Sequence, residues 1–129
     1  MAVITPTRVD GNDATGTVVW KWASMGDADT GLPVFVGKHP DMQIILNPAT
    51  HGGATSIFQW TIDERGDPDH ADHANAVWFT CTDTTETDIS TTTTNLGAQL
   101  LQGAMWVRPK TTGGTGSVIN AWLKGTIRG

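Results

Sequence analysis

The chain has 129 residues, 38% of them hydrophobic, with a formal charge of −5 and a pI near 5.1. That length suits one domain with a core of its own, and no segment concentrates Lys and Arg enough to neutralise a row of phosphates, which argues against direct nucleic-acid binding. No apolar run is long enough to cross a bilayer, the N-terminus lacks the basic start and apolar centre of a secretory signal, and a single cysteine excludes both an intrachain disulfide and a cysteine-based zinc site. The expectation is a soluble protein made in the cytoplasm, with no membrane partner.

Residues 1–16 carry Pro6, Gly11 and Gly16 among polar residues and offer only Val3, Ile4 and Val9 for burial. They are expected to form an extended N-terminal arm outside a single β domain spanning 17–129. Residues 17–24, TVVWKWAS, alternate as a strand does, with Val18, Trp20 and Trp22 on one face and Val19, Lys21 and Ala23 on the other. The turn formers of 26–33 lead into a short apolar run at 32–36, closed by Gly37 and Pro40. Residues 42–46 fit neither period cleanly and are expected as a strand buried on both faces.

Residues 56–63 are the most regular strand, setting Phe58, Trp60 and Ile62 opposite Ile57, Gln59 and Thr61. A loop crowded with carboxylates and two histidines follows at 63–75. Residues 77–82 then place Val77, Phe79 and Cys81 opposite Trp78, Thr80 and Thr82. On that apolar face Cys81 reads as a small buried hydrophobe rather than a nucleophile.

The threonine-rich stretch 82–95 favours extended backbone through β-branching and reads as turn, short strand and turn. Leu96, Leu100 and Leu101 have helical spacing with Gly103 as a stop, so at most one short helical segment is expected, near 96–102. Residues 105–108 read as a strand ended by Pro109, and 111–117 as a glycine turn. The last strand, 118–127, turns Ile119, Ala121, Leu123 and Ile127 inward and Trp122 and Lys124 outward. Short strands broken by Gly, Pro, Asp and Thr make the chain all-β.

Asp67, Asp69, His70, Asp72 and His73 form the one ligand-rich cluster of the sequence. Histidines at i and i+3 can face one ion, yet the string lacks both the Gly-centred twelve-residue calcium loop and the HExxH zinc pattern. Asp67-Pro68 is itself a turn signal and Asp69 suits the cap of a single turn. The expectation is therefore a solvated loop without a cofactor, with a structural metal held by these five residues as the minority alternative. His39 and His51 read as loop residues without a catalytic partner, and no nucleophile elbow, phosphate loop or dinucleotide motif occurs. No enzyme is expected. Six tryptophans without a tyrosine are more than the centre of so small a domain holds, which makes Trp20, Trp22 and Trp122 candidates for contact with a partner.

From about Ile57 onward the order of features resembles that of small virion proteins encoded in the head-gene region of tailed bacteriophages. The shared plan is an apolar strand into an acidic turn, the aromatic strand Val77-Trp78-Phe79-Thr80 closed by Asp83, and a Thr-rich hairpin. It continues with Gly97 to Leu100, the strand Trp106-Val107-Arg108-Pro109, Gly113-Gly114, and a last strand ending at Arg128. The loop DERGDPDHADHAN departs from that plan, which has a short Gly-Ser-Asn-Asp type of turn there. The resemblance implies an antiparallel, jelly-roll-like β-sandwich that decorates or cements a capsid. It implies a homotrimer bound to the major capsid protein on the capsid exterior of the virion, made in the host bacterial cytoplasm. An acidic protein suits that position because its field repels packaged DNA, and the arm suits strand addition to a neighbour's sheet edge. The alternatives are a carbohydrate-binding sandwich, with Trp20, Trp22 or Trp122 stacked on sugar rings and calcium in the acidic loop, and a tail or baseplate component of the virion.

Overall fold

Alternation of apolar and polar residues, rather than any helical stretch, decides which parts of this chain are buried. A computed structural model describes residues 2–12, 16–39, 41–101 and 103–126. Among them the strands are β1 (Val3–Ile4), β2 (Thr7–Asn12), β3 (Thr17–Met25), β4 (Thr30–Gly31), β5 (Val34–Phe35) and β6 (Asp41–Thr50). There follow β7 (Thr55–Thr61), β8 (Phe79–Thr80), β9 (Ser90–Thr91), β10 (Leu96–Gln99), β11 (Trp106–Thr112) and β12 (Val118–Thr126), with single-turn 3-10 helices at Glu64–Gly66 and His73–Asn75. Two sheets result. A five-stranded sheet runs β10-β6-β12-β3-β2, antiparallel throughout. A seven-stranded sheet runs β1-β4-β11-β7-β8, with β5 also on β11, β9 also on β7, and β1 parallel to β4.

The sheets stack as an all-β sandwich. Into its centre the five-stranded sheet sends Trp22, Met25, Met42, Ile44, Leu46, Ile119, Ala121 and Leu123, and the other sheet answers with Phe58 and Val107. The rings of Trp22 and Phe58 meet edge to face at 6.0 Å, and the Trp22 indole N–H donates to the Leu32 carbonyl at 3.0 Å, so the one polar atom of the largest core side chain is satisfied. Cys81 is fully buried, as expected, and burial pushes its thiol up to about 12, but the apolar face assigned to it is not buried as a whole: Val77 and Phe79 are each 51% exposed, and the strand there is only Phe79–Thr80.

Several elements differ from the reading of the sequence, each for a definable reason. Residues 96–99 form a strand on β6, not a helix. Leu96 and Leu100 are four apart, which puts them on one face of a helix but equally on one face of a strand, and pairing with β6 selects the strand. Residues 42–46 are not buried on both faces: Met42, Ile44 and Leu46 are buried, while Gln43 and Ile45 are exposed on an uncovered outer face. Pro109 does not end its strand. It lies in β11 opposite Phe58, and its missing N–H faces the side on which β11 passes from β5 to β4, where no partner strand requires a donor.

The N-terminal segment, expected as an arm outside the domain, is extended but paired within the chain. Strand β1 joins β4 at the edge of one sheet and β2 joins β3 at the edge of the other, so the segment straps the two sheets together. The inward Ile127, the terminal Arg128 and the closing Pro40 lie outside the described residues.

The glycine turn is as expected. Gly113, Gly114 and Gly116 all have positive φ, and a Cβ on Gly114 would stand 2.5 Å from the Ala54 nitrogen. The Asp27 carboxylate accepts the N–H groups of Gly116 and Ser117 at 2.6 and 3.1 Å and pins that turn to the chain after β3. In the threonine-rich hairpin Asp83 does the same, accepting from the Thr85 and Thr87 N–H groups at 2.8 and 3.1 Å.

Candidate interaction surfaces

The acidic loop spends its polar groups on its own shape. Asp63 caps the first 3-10 turn, accepting the Arg65 N–H at 3.0 Å, pairs with the Arg65 guanidinium at 2.8 Å, and accepts the Val77 N–H at 3.1 Å. One carboxylate thus ties the entrance of the loop to its exit. The Arg65 side chain, with the N–H groups of Arg65 and Val77, holds Asp63 well below the usual carboxylate range.

The five candidate ligands are likewise distributed. Asp67 accepts the Asp69 N–H at 2.9 Å, His70 Nδ1 accepts the Asp72 N–H at 3.0 Å, and Asp72 accepts from the Asn75 amide at 2.6 Å. His73 Nδ1 lies 2.7 Å from the Arg65 carbonyl, to which it donates. Among the described residues no group of three His, Cys, Asp or Glu side chains comes together to hold a metal ion. Gly66 seats the loop: a Cβ there would stand 2.6 Å from Thr61 Cγ2 and 3.0 Å from the Trp106 ring. The loop is a fitted lid on the outer face of the seven-stranded sheet.

Beside that lid the molecule leaves apolar surface bare. Phe79, on edge strand β8 opposite Trp60, is 51% exposed with the two rings 5.1 Å apart, and Ile62, one residue past β7, is 65% exposed. Met105 adjoins them, its N–H bonded to the Thr61 carbonyl at 3.1 Å, and Phe35 packs on Trp106 at 5.2 Å. Phe35, Met105 and Trp106 share a shallow cleft of about 320 Å³ with Glu64 and Asp67. An apolar floor with an acidic rim fits a partner bearing an apolar anchor flanked by basic groups. Farther along the same sheet Arg108 lies 4.1 Å from the Trp78 ring and donates to Gln59 at 2.9 Å; burial pulls it down to about 10, so it stays charged at neutral pH.

The three candidate tryptophans separate. Trp22 is fully buried and is corrected from contact residue to core residue, because it lies on the inward face of β3. Trp20 is partly buried on the same face, edge-on to the His39 ring at 5.6 Å. Trp122 stands on the outer face of the five-stranded sheet with Lys21 Nζ 4.9 Å from its ring. The sequence reading missed the exposure of Phe79, Ile62 and Ile45. Each belongs to a strongly apolar run, and the signal available was position: the end of a strand, an edge, or the odd member of the pair Ile44-Ile45.

No family model matches this sequence, and no curated protein does. In fold the chain is similar to the SPBc2 prophage-derived protein YomS, at 16% identity and a TM-score of 0.56 over 84% of this chain and 93% of that one. Looser likenesses are to CorA, a surface-associated copper-binding protein of Methylomicrobium album BG8, at 8% identity and a TM-score of 0.47 over 96% of this chain and 97% of that one. The K1 cleaved adhesin domain of Lys-gingipain from Porphyromonas gingivalis W83 follows at 11% identity and 0.40, over 96% and 90%. At such identities the likeness is one of fold.

Proposed function

We propose that this chain is a structural protein of a tailed-phage virion, decorating or cementing the capsid exterior as a homotrimer bound to the major capsid protein. The observation that carries the proposal is the shared fold with a prophage-derived protein over 84% of this chain and 93% of that one. The strand plan from Ile57 onward, which resembles head decoration proteins, supports the same reading. So do the exposed apolar side chains at the seven-stranded sheet, Ile62 and Phe79 near Trp60 and Phe35 on the opposite face with Trp106, which a lone monomer leaves in water without benefit. Attachment is assigned to the exposed Ile62 and Phe79 and not to the N-terminal segment, whose main chain is already paired within the molecule.

Co-sedimentation with undecorated capsids, combined with light scattering of the free protein, tests the proposal. Saturable binding and a trimer mass are expected, and Phe79→Ser with Ile62→Ser, both at exposed positions, should weaken capsid binding or trimerisation at least tenfold. A monomer that ignores capsids at every concentration contradicts it.

A further inference from the structure

The outer face of the five-stranded sheet carries a second feature, apart from the exposed apolar side chains of the other sheet. Two cross-strand rows lie side by side there. One runs Gly97, Ile45, Trp122, Lys21 across β10, β6, β12 and β3; the other runs Gln99, Gln43, Lys124, Val19 across the same strands. Between them lies a groove of about 530 Å³, within the size range of small-ligand sites. Gly97 opens it by contributing no side chain, Ile45 is 48% exposed beside it, and the Lys21 ammonium holds the Trp122 indole from the β3 side.

The polar groups of this groove are unspent. Elsewhere on the strands Gln59 is bound by Arg108, Asn47 donates to Asn95, and Asn120 accepts the Ser24 N–H. The side chains of Gln43, Gln99 and Lys124 make no hydrogen bond or ion pair among the described residues. Of the strands beneath, β6, β12 and β3 are interior to the sheet and their main chain is used in pairing, while a peptide strand added to the edge strand β10 would extend the sheet in its own plane beside the groove and leave its floor uncovered. A purely apolar partner would strip water from two carboxamides and an ammonium without replacing its hydrogen bonds. A single lysine within the groove is too little for a phosphate chain.

What matches is a ligand with one apolar face and a rim of uncharged hydroxyls. We infer that this groove binds a pyranose carbohydrate, its C–H face against Trp122 and Ile45 and its hydroxyls bonded to Gln43, Gln99 and Lys124. Indole rings favour such amphipathic partners because one end of the contact is apolar and the other wet, and each carboxamide offers both a donor and an acceptor to neighbouring hydroxyls.

An array of neutral gluco-, manno- and N-acetylglucosamine oligosaccharides, followed by calorimetry on any that bind, tests this. Saturable binding to at least one of them is expected. Trp122→Ala should weaken it tenfold or more. Gly97→Leu should do likewise by filling the groove, because a Cβ at 97 meets nothing nearer than the Ile44 carbonyl at 3.8 Å and the fold accepts it. Phe79→Ser, on the other sheet, should leave sugar binding unchanged. The inference is overturned if no oligosaccharide binds the wild-type protein at millimolar concentration, or if binding survives Gly97→Leu. It is equally overturned if Gly97→Leu instead changes the size of the oligomer, which would make a second copy of the chain the occupant of this face.

Discussion

His39 is buried with neither ring nitrogen hydrogen-bonded among the described residues, its imidazole held between Trp20 and the backbone of Gly125, where a Cβ would stand 2.7 Å from its Cγ. Burial, and then the charges of Lys38 and Arg8, keep its proton affinity below that of an ordinary histidine. The unfolded chain takes up a proton as pH falls through the ordinary imidazole value of about 6.5, and the folded chain resists. Proton linkage through His39 therefore leaves stability unchanged above that pH and lowers it progressively below. The melting temperature should fall between pH 7 and pH 5 in the wild type and fall less in His39→Phe; equal slopes would remove His39 from the account. Nothing in the sequence marked this residue, since His39 stands between Lys38 and Pro40 in a segment that reads as a turn. Trp22 is the opposite case. Its alternation with Val18 and Trp20 already placed it on an apolar face, and that pattern was a better guide than the number of tryptophans.

At the scale of elements, the strands were legible wherever one face was apolar and the other polar, as in β7 and β12. They were obscured where a spacing served two periods, as with Leu96 and Leu100, or where an apolar residue faced water, as with Ile45. The acidic loop was legible as a loop and as a departure from the virion plan, but not as a lid, because its seat depends on Gly66 meeting Thr61 and Trp106 across the fold. That seat gives a prediction. Gly66→Ala forces a methyl to within 2.6 Å of Thr61 Cγ2 and should cost roughly 1–3 kcal/mol in urea unfolding. It should also speed proteolysis within 63–75, while a change below about 0.5 kcal/mol, typical of neutral surface sites, would show that the loop does not rest there.

For the molecule as a whole, the N-terminal segment is the part whose meaning changed most. Composition made it an arm, since so few of its residues can be buried. The fold makes it a strap, because main-chain pairing needs no apolar side chains: Thr30 and Leu32 donate to the carbonyls of Ala2 and Ile4 at 3.0 and 2.8 Å, and β2 covers the edge of β3. Removing residues 1–12 should therefore bare the β3 edge and yield a less stable, aggregation-prone protein. A truncated chain that melts at the wild-type temperature and stays dispersed would restore the arm. The sandwich itself, two sheets around Trp22 and Phe58, leaves exposed apolar side chains at one sheet and an amide-lined groove on the other.

The central claim is attachment to a capsid, and electron microscopy of undecorated phage capsids mixed with this protein tests it most directly. Added density is expected on the outside of the shell at local three-fold positions, reduced or absent with the Phe79→Ser and Ile62→Ser variant. Shells that remain bare at saturating protein would contradict it.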